Sequence, residues 1–241
     1  MLSLFFVPEI GSSSRVEVRG DEAHHAIKVV RLGVGDRVQI SDGTAHWITG
    51  SIVEVTKNSF VVEVEDRGAK ELVAPELIVV QALMKSDRSK EAIELLTVAG
   101  VDRIIPWQSE RAIAKWQNDL GEKWLNTAQG AAKQSRRPVL PLIETLQSTA
   151  TIAKRFAQGA SFIVLHEEAE LALSSLQATL QKNQYGPIVL VIGPEGGISP
   201  HEIQLFAEHG AHITRLGDHV LRSAHAGFAS LAAVQTLLGR W

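Results

Sequence analysis

Apolar and polar positions alternate in short runs through the first third of the chain. Val16 to Val18, Asp36 to Ile40, Trp47 to Val55 and Phe60 to Val64 mix apolar and polar positions in broad alternation, as in half-buried strands. Asp42-Gly43 and Lys57-Asn58-Ser59 separate these runs as turns. Asp21 to Arg31 reads as a helix, with Gly33 and Gly35 ending it. Short strands with one small helix predict a compact β-barrel over residues 1–72.

Beyond Pro75 the rhythm changes to strands alternating with helices. The pattern predicts a strand at Glu76 to Leu83, a helix at Ser86 to Ala99 stopped by Gly100, a strand at Arg103 to Trp107 and a helix at Asp119 to Ser135. Ser161 to Leu165 and Pro187 to Ile192 are uninterrupted apolar runs, as in parallel strands covered on both faces. Ala211 to Leu216 follows as a strand and Phe228 to Leu238 as a helix. Residues 73–241 therefore read as an α/β domain with a mainly parallel sheet, the boundary falling within residues 66–75.

Composition narrows the chemistry. A hydrophobic fraction of 45% with 21% charged residues suits an ordinary globular chain. With no cysteine, disulfides, thiolate metal sites and cysteine nucleophiles are excluded. Met1 to Pro8 is apolar but lacks a basic start, and no run reaches the roughly 18 uncharged apolar residues of a membrane span. A cytoplasmic protein without a membrane partner is expected. The net charge of −3 argues against nonspecific coating of nucleic acid. Its distribution is uneven, however. Residues 76–160 hold 12 Lys/Arg against 9 Asp/Glu, whereas the flanking segments are acidic. A polyanion would meet this middle segment first.

The candidate chemistry lies late in the chain. The strand ending at Ile192 runs into Gly193-Pro194-Glu195-Gly196-Gly197, and then into Ser199-Pro200-His201-Glu202, which has the form of a helix start with a capping box. This succession places a side-chain-poor loop at the carboxyl end of a parallel strand, where open α/β sheets bind ligands. A tight turn without a ligand would leave the same trace. Neither a P-loop nor a dinucleotide fingerprint is present. The segment Gly217 to Gly227 is long for a strand-to-helix connection and carries Arg222 between Leu221 and Ser223.

Gly193 to Ser199, followed by Leu216-Gly217 and Val220-Leu221-Arg222, resembles the closing motif of the SPOUT methyltransferases. More narrowly, it resembles the 16S ribosomal RNA uridine-N3 methyltransferase family called RsmE. His25 to Arg31, Gly35-Asp36 and Asp42-Gly43 resemble that family's PUA-like RNA-binding domain. Ala82 to Lys85, Ser109 to Arg111 and Ala132 to Arg137 resemble its middle blocks. The resemblance implies a SPOUT-type α/β domain with a C-terminal trefoil knot, preceded by a small PUA-like β-barrel, and a homodimer whose second subunit completes the active site. It implies S-adenosyl-L-methionine as cofactor, held by three loops. Leu165, His166 and Glu167 form the first. Ile192, Gly193, Glu195 and Gly197 belong to the second. Leu216, Gly217, Val220, Leu221 and Ser223 belong to the third. Where the family usually reads Leu-Arg-Thr, a variable residue, then Thr-Ala, this chain has Ser223-Ala224-His225-Ala226. Met84 stands where the family more often has proline.

The implied target is uridine in 16S ribosomal RNA of the small ribosomal subunit. Uracil N3 carries a proton and lies on the pairing edge, so the base must be unpaired or flipped outward. Arg222 is the candidate catalytic residue, a cation facing charge that develops on the uracil oxygens. His225 is a candidate base. His25, Arg31, Lys85, Arg88, Arg111, Lys133, Arg136 and Arg137 are the candidate RNA contacts. No metal site is expected, and the five tryptophans are expected in cores or interfaces. A SPOUT enzyme with another RNA target, or a noncatalytic RNA-binding assembly factor, remains an alternative.

Overall fold

Five strands of the N-terminal region form one curled sheet. They are β1 (Ser3–Phe6), β2 (Arg15–Arg19), β3 (Arg37–Ser41), β4 (His46–Val55) and β5 (Ser59–Ala69), in the order β1-β3-β4-β5-β2. β1 pairs with β3 in parallel and the remaining pairs are antiparallel. The computed structural model describes residues 2–71, 73–183 and 185–241; Met1, Gln184 and Leu72, which sits at the expected boundary, lie outside the described residues.

The alternation read from the sequence aims Val16, Val18, Val38, Ile40, Ile48, Ile52, Phe60 and Val62 into one core with Phe5. Irregularities at Thr49/Gly50 and Ile52/Glu54 bend the β4–β5 pair into a half-barrel. Gly68 is required by packing. A Cβ there would lie 2.4 Å from the indole of Trp47, which covers the glycine across the strands.

The expected helix is real but mixed. α1 (Gly20–His24) continues as a π-helical turn over His25–Val30. It ends at Arg31, in the left-handed region with φ 64°, and Leu32 N–H donates to Ala26 O at 3.0 Å. Termination thus precedes the two glycines read as stop signals, because Arg31 itself takes the left-handed conformation.

The chain divides into two compact units, Met1–Leu72 with Ala132–Leu140, and Val73–Ala131 with Pro141–Trp241. In the first unit Leu4, Phe6 and Ala132 cluster with Leu140, and Leu140 N–H donates to Gly43 O at 2.8 Å.

The second unit is a seven-stranded sheet with helices on both faces. In chain order its elements are β6 (Leu77–Ala82), α2 (Ser86–Val98), β7 (Arg103–Trp107), α3 (Leu120–Ser135), β8 (Leu142–Ile143), α4 (Thr149–Phe156), β9 (Ser161–Leu165), β10 (Leu171–Ala172), α5 (Gln177–Lys182), β11 (Ile188–Ile192), α6 (Pro200–Glu208), β12 (His212–Arg215) and α7 (Ser223–Leu237). The last turn of α3 falls within the first unit. The strand order is β10-β12-β9-β11-β6-β7-β8, every pair parallel.

Successive residues of a strand point to opposite faces, so a fully apolar run serves two cores. Leu77 and Val79 join Ile93 and Leu96 of α2 and Leu231 and Val234 of α7. Ile78 and Val80 join Ile152 and Phe156 of α4 and Phe206 of α6. Each such buried side chain contributes about 1.5–3 kcal/mol relative to exposure. After β12 the chain returns across the sheet, and α7 packs on α2 and against β11 and β6.

Two readings need correction. α7 begins at Ser223, five residues before the expected Phe228, because its first five residues, Ser-Ala-His-Ala-Gly, carry no large apolar side chain to mark a helical period. α4, α5, β8 and β10 had no counterpart in the sequence pattern; the two strands have only two residues each. Among the described residues no helix is long and apolar enough to cross a membrane.

Candidate functional site

β9 lies between β12 and β11, and all three run parallel, so the loops that follow them emerge side by side at one edge of the sheet. The first loop, from Leu165 to Glu167, is pinned where His166 N–H donates to Thr214 O at 2.8 Å. The second follows Ile192 and turns on itself, Gly197 N–H donating to Pro194 O at 3.0 Å. Gly197 has φ 73°, a left-handed conformation that favours glycine. The third, from Leu216 to Arg222, leads directly into α7.

The three loops enclose one cavity of about 300 Å³. Every residue assigned to the cofactor from the sequence lines it: Leu165, His166, Glu167, Ile192, Gly193, Glu195, Gly197, Leu216, Gly217, Val220, Leu221 and Ser223. Arg222 lines it too, as does Arg88, which the sequence had grouped with the RNA contacts. Pro194, Ile198, Arg215, His219 and Ala226 are lining residues that the sequence reading did not single out. All five flank or fall within the segments already read, Ala226 lying in the stretch Gly217 to Gly227 where the start of α7 was misplaced.

Local hydrogen bonds fix this geometry. Ser223 Oγ donates to Gly193 O, joining the third loop to the second. Gln81 Nε2 stands behind, 3.4 Å from Ser223 Oγ. Arg222 caps α7 through its carbonyl, which accepts from His225 N–H at 2.8 Å and Ala226 N–H at 2.9 Å. Its guanidinium is exposed and has no protein partner among the described residues. His166 Nδ1 accepts from Glu168 N–H at 3.3 Å.

Two arginines hold the second loop. Arg88 Nε lies 3.8 Å from Glu195 Oε1, and Arg111 Nη1 donates to Gly196 O at 3.3 Å. Behind this loop, Glu110 bonds Ser199 Oγ and His201 Nδ1. The Ser199 hydroxyl, and then His201, hold the Glu110 carboxyl below its usual range, while Glu110 raises the His201 imidazole.

The remaining predicted positions lie elsewhere. His225 does not line the cavity; its Nε2 pairs with Glu91 Oε1 of α2 at 2.9 Å. Lys85 is exposed at the start of α2, and Arg136 is exposed with φ 57°. In the first unit His25 and Arg31 are exposed, and Lys133 is ion-paired with Glu22. Arg137 is half-buried. Of the tryptophans, Trp107 and Trp124 are buried and Trp241 is 57% exposed.

Residues 71–235 match the model of the RNA methyltransferase domain, and residues 18–65 match that of the RNA methyltransferase PUA domain. The ribosomal RNA small subunit methyltransferase E proteins of Mycobacterium bovis and Mycobacterium tuberculosis are each 37% identical to this chain, over 99% of it and 93% of their own length. The chain belongs to the ribosomal RNA small subunit methyltransferase E family. A crystal structure of the family's protein from Neisseria gonorrhoeae, bound to S-adenosyl methionine, is similar in fold, with a TM-score of 0.87 at 22% identity and 98% of each chain covered. The three loops all lie within the stretch that matches the RNA methyltransferase domain.

Proposed function

We propose that this chain methylates N3 of a uridine in 16S ribosomal RNA with S-adenosyl-L-methionine, acting in the cytoplasm on the small ribosomal subunit. One observation carries the reading: three loops converge on a single cavity lined by an arginine, Arg222, that has no protein partner among the described residues.

The residues suit the cofactor. The volume is at the lower end of small-molecule sites, about 300–1,000 Å³. Leu165, Ile192, Leu216 and Leu221 offer apolar walls for an adenine, and the loop backbone offers polar atoms beside them. Gly217 faces open space, since a Cβ added there would meet nothing within 4 Å. When bound, the cofactor supplies an activated methyl group on a sulfonium.

The protein's task is then to align the nucleophile and manage charge. Arg222, exposed beside the cavity, faces the position of the entering base and stabilises negative charge on the uracil oxygens as N3 loses its proton. The exposed His25, Arg31, Lys85 and Arg136, with Lys133, Arg137, Arg111 and the cavity-lining Arg88, contact RNA. The PUA domain supplies RNA recognition and residues 73–241 the transfer. The same reading includes a homodimer and a trefoil knot. The return of α7 from β12 across the sheet to α2 supports the knot.

Nucleoside mass spectrometry of 16S RNA from a strain lacking the protein tests the target. Loss of N3-methyluridine, restored by the intact chain, is the expected result. Unchanged N3-methyluridine overturns it and favours another RNA target.

A further inference from the structure

Glu202 is fully buried, and a carboxylate in such a place is costly unless its oxygens are satisfied. Here every polar group facing it donates. Oε1 accepts from Glu110 N–H and from Thr149 Oγ, each at 2.9 Å, and Oε2 accepts from Ser199 N–H at 3.2 Å. The Thr149 hydroxyl is itself oriented by Trp107 Nε1 at 3.0 Å. An amide would turn an NH2 group toward one of these donors, so the site calls for a carboxylate.

The capping box of α6 needs only the bond to Ser199. The bond to Glu110 N–H does something else: it ties the loop after β7 to the start of α6. Arg111 is the next residue. Its guanidinium donates to Gly196 O, and a Cβ on Gly196 would lie 3.3 Å from Arg111 O and 3.4 Å from Arg111 Cβ. The Arg111 backbone therefore packs directly on the second cavity loop. The Glu110 side chain closes the circuit through Ser199 and His201.

We propose that Glu202 is a positioning residue for the cofactor loop, acting through Glu110 and Arg111 on Gly196. The proposal rests on reading the cavity as the cofactor site. It assigns Arg111 a duty that requires no RNA.

The experiment is a double-mutant cycle on the full chain, using Glu202→Gln and Arg111→Ala, with the dissociation constant for S-adenosyl-L-methionine measured calorimetrically without RNA. Each single change should weaken binding about tenfold, the scale of one charge-assisted hydrogen bond. If Glu202 acts through Arg111, the double variant is scarcely weaker than either single one. Multiplied losses, or no loss in Glu202→Gln, overturn the proposal. Amide exchange gives a readout independent of the cofactor. Faster exchange at 195–197 with β11 unchanged is expected, whereas acceleration across the whole unit would show a merely structural role. Should Glu202→Gln fail to fold, Thr149→Val removes one donor and should move both readouts the same way, less far. An intact chain that binds no cofactor, yet shows the local exchange effect, would sink the functional reading and leave the positioning role standing.

Discussion

Ser223 donates its hydroxyl hydrogen to the carbonyl oxygen of Gly193, so the first residue of α7 is fastened to the first glycine of the second loop. Gly193 O would lose this donor in Ser223→Ala. Cofactor affinity should then fall roughly tenfold, the cost of an unmade hydrogen bond at a partly buried carbonyl. Ser223→Thr keeps the hydroxyl and should remain close to the parent. Calorimetry on both variants checks this, and equal losses in the two would contradict it.

Arg222 has the opposite expected profile. Since its guanidinium has no hydrogen-bond or ion-pair partner among the described residues, Arg222→Ala should leave cofactor binding nearly intact while the rate of methyl transfer falls on the order of a hundredfold. Single-turnover assays beside calorimetry separate the two effects. Parallel losses would assign the arginine to the cavity wall.

Acid sensitivity of the first unit should trace to Asp42. Burial raises its carboxyl pKa, but N–H donors from Ala45, Thr44 and His46, and then the His46 ring, more than reverse this and leave it well below the ordinary value of 3.8. A carboxyl with a depressed folded pKa contributes stability that is present above its unfolded pKa and lost as pH falls toward the folded value. Asp42→Ala should lower stability near neutrality by about 1–2 kcal/mol. It should also flatten the acid limb below about pH 4. Denaturant titrations at several pH values give the measurement.

Overpacking offers a test of the half-barrel. Gly68→Val would drive side-chain atoms into the Trp47 indole and should destabilise the chain by about 1–3 kcal/mol. Gly33→Ala is the control, since a Cβ there meets nothing within 4 Å and φ is not positive. A tolerated Gly68→Val would mean that Trp47 moves freely.

Physical signals of different strength explain what the sequence made legible. Ser161–Leu165 and Arg103–Trp107 were read to the residue, because buried parallel strands announce themselves as unbroken apolar runs. The Ser199 cap was read because the capping box has fixed spacing. The start of α7 was misread because it must be small: a Cβ on Gly227 would already lie 3.1 Å from Leu96 and 3.4 Å from Gln81 Oε1. Close packing thus removed the apolar period that marks a helix. At the site, the three loops were legible from the family resemblance. The attachments of Arg88 to Glu195 and of His225 to Glu91 were not, because both join residues more than a hundred positions apart and neither partner has a local pattern.

The adjacency of β12, β9 and β11 has a mechanical consequence. A ligand held by all three loops is a removable cross-link between strands remote in sequence, and it acts across the direction in which the sheet would peel apart. Filling the cavity therefore slows the opening of that edge in proportion to how tightly the ligand is held. The strands on the far flank, β7 and β8, have no such staple, so the liganded sheet should be stiffer on one side than on the other.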